Sequence, residues 1–212
     1  MYSLNWNAGE APCLVIGGGH VAVRKVKGLL AEGAHVTVIA PLAEAAIHSL
    51  AREGRLLYEA RPFEEGDEAG YSFVVSTSGV LEIAHYLSAA WKRRFFLYNA
   101  ADFPSLGNCT LPARLRRGSL TVAISTEGKS PAFSKYIKYW LDGKIPENYG
   151  EWLDRLAKLR LEAKTAVSTS QERETFWRAA FGEDVLRRVS DGELDQAEEI
   201  IRHAMGRFGA ES

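Results

Sequence analysis

The chain has 212 residues, which suits one ordinary domain with an appendage and allows a hydrophobic core without disulfides. Lys and Arg number 26 and Asp and Glu number 27, so the net charge of −1 excludes the global positive field that draws proteins onto nucleic acid. The N-terminus lacks a basic segment followed by an apolar core and no apolar run is long enough to cross a bilayer, which predicts a cytoplasmic protein that binds neither nucleic acid nor a membrane.

Short apolar runs alternate with longer helical patterns from Cys13 to Ala100, and this alternation is typical of βαβ units in a parallel sheet. The runs predict strands over residues 13–16, 35–39, 56–58, 71–75 and 95–98, the third of them at an edge. Helical periodicity predicts one helix over 20–32, ended by Gly33, and another through Ile83, Leu87, Ala90 and Trp91. Since all five strands are short and apolar, we predict an α/β fold with a Rossmann-type parallel sheet and helices on both faces.

The pattern changes after Pro112. Residues 119–125 alternate between polar and apolar side chains and predict a strand with one exposed face. Ser130 and Pro131 are typical of a helix start, and the helix that follows carries an apolar stripe made of Phe133, Ile137, Trp140 and Leu141. So much apolar surface beyond a completed sheet indicates an element that pairs with another copy of the chain.

The remainder of the chain, from Gly150, is predicted to be helical, with a capping box formed by Thr169 and Glu172. The predicted domains are therefore an NAD-binding Rossmann domain over residues 1–112 and a small α+β dimerisation region over 113–145. A helical C-terminal domain follows over residues 146–212.

Three glycines, Gly17, Gly18 and Gly19, lie between the first predicted strand and the first predicted helix. With Ala22 they fit the pattern G-x-G-x-x-A, in which Gly17 forms a tight turn and Gly19 lets the backbone approach a pyrophosphate. The phosphates would lie on the helix N-terminus. The pattern in this position indicates a dinucleotide site, although glycines at strand ends also form plain structural turns.

The second predicted strand lacks the residue that usually completes such a site. An acidic side chain about 20 residues after the glycines normally binds the ribose hydroxyls of NAD, whereas this strand continues into Ala40, Pro41 and Leu42. The choice between NAD and NADP is therefore not decided by this segment. An arginine is absent from it too, which disfavours a 2′-phosphate.

Asp102 follows the fifth predicted strand. Ligands of open α/β sheets lie outside the carboxyl ends of the strands, so Asp102 and the glycine turn are expected to face one crevice. There an aspartate can act as a general base beside a bound nicotinamide. The segment Asp102-Phe103-Pro104 is also ordinary turn chemistry, in which the side chain bonds its own backbone, and the residues alone leave both roles open.

A basic segment lies between Pro112 and Lys144. Seven basic residues face two acidic ones, an excess of five positive charges: Arg114, Arg116, Arg117, Lys129, Lys135, Lys138 and Lys144 against Glu127 and Asp142. Guanidinium and ammonium groups bind carboxylates, so this segment is a candidate site for a polycarboxylate substrate. A solvated protein face would have the same composition.

Residue types that bind metals are scattered along the chain. The five histidines (His20, His35, His48, His85 and His203) form no helical pair, and Cys13 and Cys109 form no Cys-x-x-Cys motif, so no metal site is predicted. We expect both cysteines to be free buried thiols in a reducing compartment. His20, inside the glycine turn, is expected to contact a cofactor or to cap a helix.

Taken together, the motifs resemble the precorrin-2 dehydrogenases of sirohaem biosynthesis, a family that includes the N-terminal module of sirohaem synthase. The resemblance extends from Pro12 to about Leu141 and rests on blocks in the right order, at residues 17–25, 36–41, 99–104, 111–113 and 117–131. Residues 76–79 and 107–109 depart from the family pattern.

The resemblance implies NAD-dependent oxidation of precorrin-2 to sirohydrochlorin by a homodimer, and in some members insertion of ferrous iron as a second substrate. It implies that Asp102 serves both activities. The cofactor contacts that it implies are Gly17, Gly18, Gly19, His20, Val21, Pro41, Leu42 and Thr77, with the ribose held by backbone. The implied contacts with the polycarboxylate tetrapyrrole are Arg117, Ser125, Thr126 and Lys129.

Two other functions remain open at the level of sequence. One is a non-catalytic NAD-binding Rossmann sensor, which needs neither a base nor a basic segment. The other is a chelatase that has lost dehydrogenation, which would use sirohydrochlorin and a metal ion without NAD.

Overall fold

A computed structural model describes residues 1–167 and 169–210 of the protein. The described residues form two compact units, one up to Leu111 and one from Pro112 onward. The second unit begins where the sequence pattern changes, and its predicted division between residues 145 and 146 stays a prediction.

The first unit contains five strands and three α-helices, which alternate except that the third and fourth strands follow each other without a helix. The strands are β1 (Pro12–Ile16), β2 (His35–Ile39), β3 (Leu57–Glu59), β4 (Phe73–Ser76) and β5 (Leu97–Ala100). The helices are α1 (His20–Ala31), α2 (Ala45–Arg52) and α3 (Leu81–Arg93), and a 3-10 turn covers Pro104–Leu106.

All five strands are parallel and lie in the order β3-β2-β1-β4-β5. The chain therefore moves outward from β1 to β3, returns to β4 beside β1, and moves outward again to β5. The point where the direction reverses, between β1 and β4, is where open α/β sheets form their ligand crevice.

Side chains of successive strand residues point to opposite faces of the sheet, and each face carries its own core. One core joins α1 and α2 to the sheet and includes Val15, Val26, Val38, Ile47 and Val75. The other joins α3 to the opposite face and includes Leu14, Ile39, Val74, Leu87 and Tyr98. The predicted sheet with helices on both faces is confirmed.

The fourth and fifth strands begin two residues later than predicted. Aromatic and apolar residues before each strand lengthened the predicted run, but Phe95 is 86% exposed and lies outside the sheet. The consequence is that Asn99 and Ala100 belong to β5, and Asp102 lies two residues beyond its end.

The loop between β3 and β4 is held by a buried carboxylate that the sequence did not reveal. Glu68 is 2% exposed, and it accepts hydrogen bonds from the Gly66 N–H at 3.0 Å, the Tyr86 hydroxyl at 3.2 Å and the Arg94 guanidinium at 3.1 Å. Buried charges are tolerated when they are paired in this way. The loop thus reaches β4 without a helix.

Segment 107–109 closes the outer edge of β5. The Asn108 carboxamide oxygen accepts from the Tyr98 N–H at 2.7 Å, and its nitrogen donates to the Phe96 carbonyl at 2.8 Å. Gly107 runs so close that a Cβ there would lie 2.7 Å from the Tyr98 carbonyl oxygen. A segment that departs from the family pattern therefore covers a strand edge that would otherwise be open to pairing.

The second unit begins with an antiparallel hairpin and continues with five helices. The hairpin consists of β6 (Ala113–Arg117) and β7 (Leu120–Ile124). The helices are α4 (Pro131–Asp142), α5 (Tyr149–Ala166), α6 (Ser170–Ala180), α7 (Glu183–Asp191) and α8 (Leu194–Ala210).

Two predicted helix starts in this unit are confirmed. The Ser130 hydroxyl accepts from the Phe133 N–H at 3.2 Å, with Pro131 in the first turn of α4. Thr169 and Glu172 form the predicted capping box at the start of α6. Each arrangement satisfies backbone donors that a helix N-terminus leaves without intrahelical partners.

The helices α5 to α8 enclose a core that includes Trp152, Leu159, Phe176, Val185 and Ile201. The hairpin turn meets the start of α5 at two glycines, because a Cβ on Gly118 would lie 2.7 Å from the Cα of Gly150. Within residues 1–167 and 169–210, no helix combines the length and apolarity needed to span a bilayer.

Candidate functional site

The carboxyl ends of the strands in the first unit are aligned in register. Ile16 at the end of β1 pairs with Ile39 of β2 and Ser76 of β4, and Ser76 pairs with Ala100 of β5. The residues that follow these ends therefore share one edge of the sheet. Gly17, Thr77 and Asp102, all predicted site residues, lie along that edge.

The glycine turn is shaped by direct contact with its neighbours. Gly17 has a φ of 111°, a conformation that glycine alone adopts readily, and a Cβ there would lie 2.6 Å from the Thr77 hydroxyl oxygen. At Gly18 a Cβ would lie 2.1 Å from the Leu42 carbonyl oxygen. Protein packing therefore accounts for the first two glycines.

Gly19 is different, because a Cβ built there meets no atom within 4 Å. The protein itself does not require a glycine at this position, whereas a ligand that approaches the backbone would. Gly19 is also the N-cap of α1, no side chain in the described part of the chain caps that helix, and its first turn holds no acidic residue. An uncapped helix N-terminus beside open space fits a pyrophosphate.

Exposed apolar side chains lie in the segments that follow the strand ends. Val21 and Val80 are each 40% exposed and Leu42 is 85% exposed, and they belong to the segments that follow β1, β4 and β2. Planar rings bind to apolar surfaces of this kind, so the edge offers contacts for the two bases of a dinucleotide as well as for its phosphates.

Thr77 joins the end of β4 to the end of β1. Its N–H donates to the Ile16 carbonyl at 2.8 Å and its hydroxyl donates to the same oxygen at 3.1 Å. This bifurcated contact holds the β4 loop against Gly17. Thr77 therefore fixes the start of this loop beside Gly17, at the predicted cofactor position.

Asp102 is fixed by the neighbouring loop and not by its own turn. Its Oδ2 accepts a hydrogen bond from the backbone N–H of Gly79 at 2.9 Å, across 23 residues of chain. Gly79 lies two residues after Thr77, so the contacts run from Gly17 through the β4 loop to Asp102. The residue itself is exposed, which leaves the carboxylate accessible.

Tyr98 is the other ionisable group close to Asp102. Burial raises the pKa of Tyr98 to about 12, the neighbouring Ser76 hydroxyl lowers it, and the charge of Asp102 raises it further. Its phenol stays neutral at neutral pH, so it supplies no base. Of these two groups, Asp102 is the candidate base.

The loop between β2 and α2 carries an acidic residue that the sequence analysis did not identify. Glu44, the N-cap of α2, donates its N–H to the Gly18 carbonyl at 2.9 Å, and its Oε1 lies 3.4 Å from Nδ1 of His20. It was overlooked because α2 was not predicted as a separate helix. The short amphipathic run that contains Ile47 and Leu50 could have predicted this helix, with Glu44 at its start.

The predicted substrate residues lie in the second unit, on the hairpin and the loop that leads to α4. Arg117 is 8% exposed, and its guanidinium donates to the Ile145 carbonyl at 2.9 Å and to Asp142 at 3.0 Å. These bonds tie the hairpin to the end of α4. Arg117 thus has a structural role, and its contact with a substrate stays a prediction.

The other three predicted substrate residues occupy one loop. Thr126 accepts from the Ser130 N–H at 3.1 Å, and Ser125 accepts from the Glu127 N–H at 3.1 Å, so both shape the entry into α4. Lys129 is exposed. β7 exposes Thr121 and Ala123 on one face, which confirms the single strand predicted there; its partner β6, which was not predicted, exposes Arg114 and Arg116 on that face.

Both cysteines are free thiols. Burial raises the pKa of Cys13 and of Cys109 to about 11, and nearby Lys25 lowers the value for Cys109. Neither thiol is an activated nucleophile. Among the described residues, no three His, Cys, Asp or Glu side chains converge in a group that could hold a metal ion.

Family models match most of the chain in three segments. The model described as putative NAD(P)-binding matches residues 4–113, that of the sirohaem biosynthesis protein central region matches 117–139, and that of the sirohaem synthase dimerisation region matches 148–205. The chain thus contains an NAD(P)-binding region followed by a segment related to a dimerisation region.

Curated relatives and a solved structure agree with these matches. The chain is 31% identical to the sirohaem synthase of Methylococcus capsulatus over 195 residues and 32% identical to that of Methylobacillus flagellatus over 196. Each alignment covers 92% of this chain and 41% of the relative, so the chain spans about two fifths of their length. The structure of SirC, precorrin-2 dehydrogenase, is 28% identical, has a TM-score of 0.77, and is matched over 96% of this chain and 100% of that one.

Proposed function

Because the chain belongs to the NAD(P)-binding family of sirohaem synthases and precorrin-2 dehydrogenases, we propose that it oxidises precorrin-2 to sirohydrochlorin with NAD as the oxidant. The observation that carries this proposal is the hydrogen bond of 2.9 Å from the Gly79 N–H to Asp102. That bond holds a carboxylate on the edge of the sheet that also carries the glycine turn. A base and a dinucleotide site therefore face one crevice.

The cofactor site is built by Gly17, Gly18 and Gly19 together with the start of α1. The open space at Gly19 and the uncapped helix N-terminus fit a pyrophosphate. The segments that follow β1, β2 and β4 supply the remaining predicted contacts, at His20, Val21, Pro41, Leu42 and Thr77. When bound there, NAD supplies a hydride acceptor at carbon 4 of its nicotinamide ring.

Oxidation of precorrin-2 removes one hydride and one proton. Asp102 accepts the proton on Oδ1, because Oδ2 already accepts the Gly79 N–H. The side chain is exposed, so the proton passes on to solvent and the carboxylate is regenerated. The neutral phenol of Tyr98 does not compete for this role.

The substrate is a polycarboxylate, and the basic segment of the second unit is suited to it. Arg114, Arg116 and Lys129 are exposed there. Guanidinium and ammonium groups form charge-assisted hydrogen bonds to carboxylates. Ser125, Thr126 and Arg117 complete the proposed substrate contacts, in a chain whose net charge of −1 gives no general attraction for anions.

The proposed assembly is a homodimer formed by the second unit. One face of α4 carries four exposed aromatic residues, which are Phe133 at 55%, Tyr136 at 62%, Tyr139 at 77% and Trp140 at 52%. Large apolar patches on a single chain mark interaction surfaces. The match to a dimerisation region covers residues 148–205, which follow α4 in the same unit, and it supports a second copy of the chain as the partner. Free thiols support the cytoplasm as the proposed location.

Absorbance spectroscopy tests the activity directly. Purified protein is mixed with precorrin-2 and NAD, and we expect sirohydrochlorin and NADH to form in equal amounts. Asp102→Asn keeps the size of the side chain and removes the base, and should lower kcat by about a hundredfold or more. Asp154→Asn, at an exposed aspartate on α5, is the matched control and should be fully active.

Other outcomes distinguish the alternatives. Full activity of Asp102→Asn would remove the proposed base, and absence of any oxidation with tight binding of NAD would favour a sensor. Ferrous iron added after oxidation tests the proposed insertion of iron into the product. Insertion into sirohydrochlorin without NAD, combined with no oxidation of precorrin-2, would identify a chelatase instead.

A further inference from the structure

The end of β2 has no acidic residue because its carboxyl end is closed by backbone and a tyrosine. Ala40, the first residue after the strand, is 2% exposed, and its carbonyl accepts a hydrogen bond from the Tyr58 hydroxyl at 3.0 Å. Because Ala40 is buried, a carboxylate at this position would be buried as well. The usual position of a ribose-binding carboxylate is therefore unavailable in this protein.

The loop that follows carries a carboxylate four residues further on, at Glu44, against the glycine turn. Glu44 donates its backbone N–H to the Gly18 carbonyl at 2.9 Å, and the loop is packed so tightly against Gly18 that no side chain fits there. The backbone of Glu44 is thereby fixed to the middle of the glycine turn. Its position does not depend on a flexible side chain reaching across the crevice.

The side chain of Glu44 lies beside the start of α1. Its Oε1 lies 3.4 Å from Nδ1 of His20, the first residue of α1. The two side chains are 38% and 91% exposed. Glu44 is thus partly shielded and oriented by His20, yet it remains open to a ligand that lies across the turn.

We propose that Glu44 selects NAD over NADP at the cofactor site, an inference that rests on the proposed function. In addition to the backbone contacts that the family resemblance implies for the ribose, the carboxylate of Glu44 would accept a hydrogen bond from the 2′-hydroxyl of the adenosine ribose, as the acidic residue at the end of the second strand does in other dinucleotide folds. A 2′-phosphate brings negative charge to the same place and is repelled. The contact with Glu44 also directs Nδ1 of His20 at a carboxylate.

Calorimetric titration with NAD and with NADP tests this selection without depending on activity. The wild type should bind NAD at least tenfold more tightly than NADP. Glu44→Gln keeps the shape and removes the charge, so the affinity for NADP should rise about tenfold while that for NAD falls about threefold to tenfold, the effect of weakening one charge-assisted hydrogen bond.

Glu53→Gln is the matched control, because Glu53 is an exposed carboxylate at the other end of α2 that bonds only locally, to the Ser49 hydroxyl at 2.9 Å and near Arg55. It should leave the ratio of the two affinities unchanged. Urea unfolding of both variants establishes that the fold is intact. An unchanged ratio in Glu44→Gln, or equal binding of both nucleotides by the wild type, overturns the inference about Glu44 alone. Failure of the wild type to bind either nucleotide overturns the proposed function as well.

Discussion

Two neighbouring glycines should respond in opposite ways to the same substitution. In Gly18→Ala the new Cβ would lie 2.1 Å from the Leu42 carbonyl oxygen, whereas ordinary contacts begin at 3.4 Å. The loop must move by more than 1 Å, which also breaks the hydrogen bond from Glu44 to Gly18. Overpacking costs about 1–3 kcal/mol and the lost bond about 1 kcal/mol, so we expect the free energy of unfolding to fall by about 3 kcal/mol.

In Gly19→Ala the new Cβ meets no protein atom within 4 Å, and the φ of −80° suits alanine. The cost to folding is limited to a poorer N-cap, about 0.5–1 kcal/mol. The methyl group instead occupies the space through which a pyrophosphate approaches the backbone. We expect the affinity for NAD to fall at least tenfold, about 1.4 kcal/mol.

Equilibrium urea unfolding and calorimetric binding of NAD, applied to both variants, separate the two effects. Gly18→Ala should unfold at lower urea with a Tm reduced by roughly 10 °C or more, and Gly19→Ala should unfold close to the wild type yet bind NAD poorly. Tight binding of NAD by Gly19→Ala would refute the assignment of the open space to the cofactor. A Gly18→Ala protein as stable as the wild type would refute the packing argument.

Three further predictions concern stability, reactivity and assembly. Glu68→Ala should lower the free energy of unfolding by about 2–3 kcal/mol in urea, because it leaves the buried donors around it without an acceptor. Both thiols should react slowly with iodoacetamide at pH 8. Burial raises the pKa of Cys13 and Cys109 from 9.0 to about 11, so the folded state holds these protons more tightly than the unfolded state. The free energy of unfolding should therefore be constant below pH 9 and fall as the pH rises towards 11, by about 1 kcal/mol for each thiol between pH 9 and 10. A Cys13→Ala, Cys109→Ala double variant should lack this dependence on pH. Trp140→Ser should shift the sedimentation of the protein towards that of a monomer. Phe95→Ser is the control and should not do so, because Phe95 is an aromatic residue that is 86% exposed on the other unit. A monomeric wild type, or a Trp140→Ser variant that remains a dimer, would contradict the proposed interface.

Local patterns in the sequence were enough to predict the framework of the first unit. The glycines between an apolar run and an amphipathic one predicted the β1 turn and α1, and β2 was predicted over its full length. What the sequence could not supply were features that depend on distant partners. Glu68 reads as one acidic residue in a polar loop, and only folding brings it to Tyr86 and Arg94, 18 and 26 residues away.

The strand β6 was also missed, because its charged residues do not look like a strand in the sequence. The segment Ala113–Arg117 holds three arginines and was predicted only as a basic patch, because isolated charge gives no indication of which face each side chain takes. In the hairpin Arg114 and Arg116 point outward while Arg117 is buried against Asp142. The same residue type therefore serves an exposed surface and a structural ion pair, and pairing with β7 decides between them.

The role of Asp102 was left open by the sequence because a local turn and a catalytic base look alike in Asp-Phe-Pro. In the structure the N–H that bonds to Asp102 belongs to Gly79, on the adjoining strand loop, and not to the Asp-Phe-Pro turn, whereas the role of Asp102 as a base stays a proposal. A turn aspartate would keep its place in any context, whereas this one is oriented by the packing of β4 beside β5. Its orientation is therefore tied to the contact of Thr77 with Gly17, so a change that loosens the glycine turn should also disturb the carboxylate. The proposed cofactor turn and the proposed base are thus linked by these contacts, although 85 residues separate Gly17 from Asp102 in the chain.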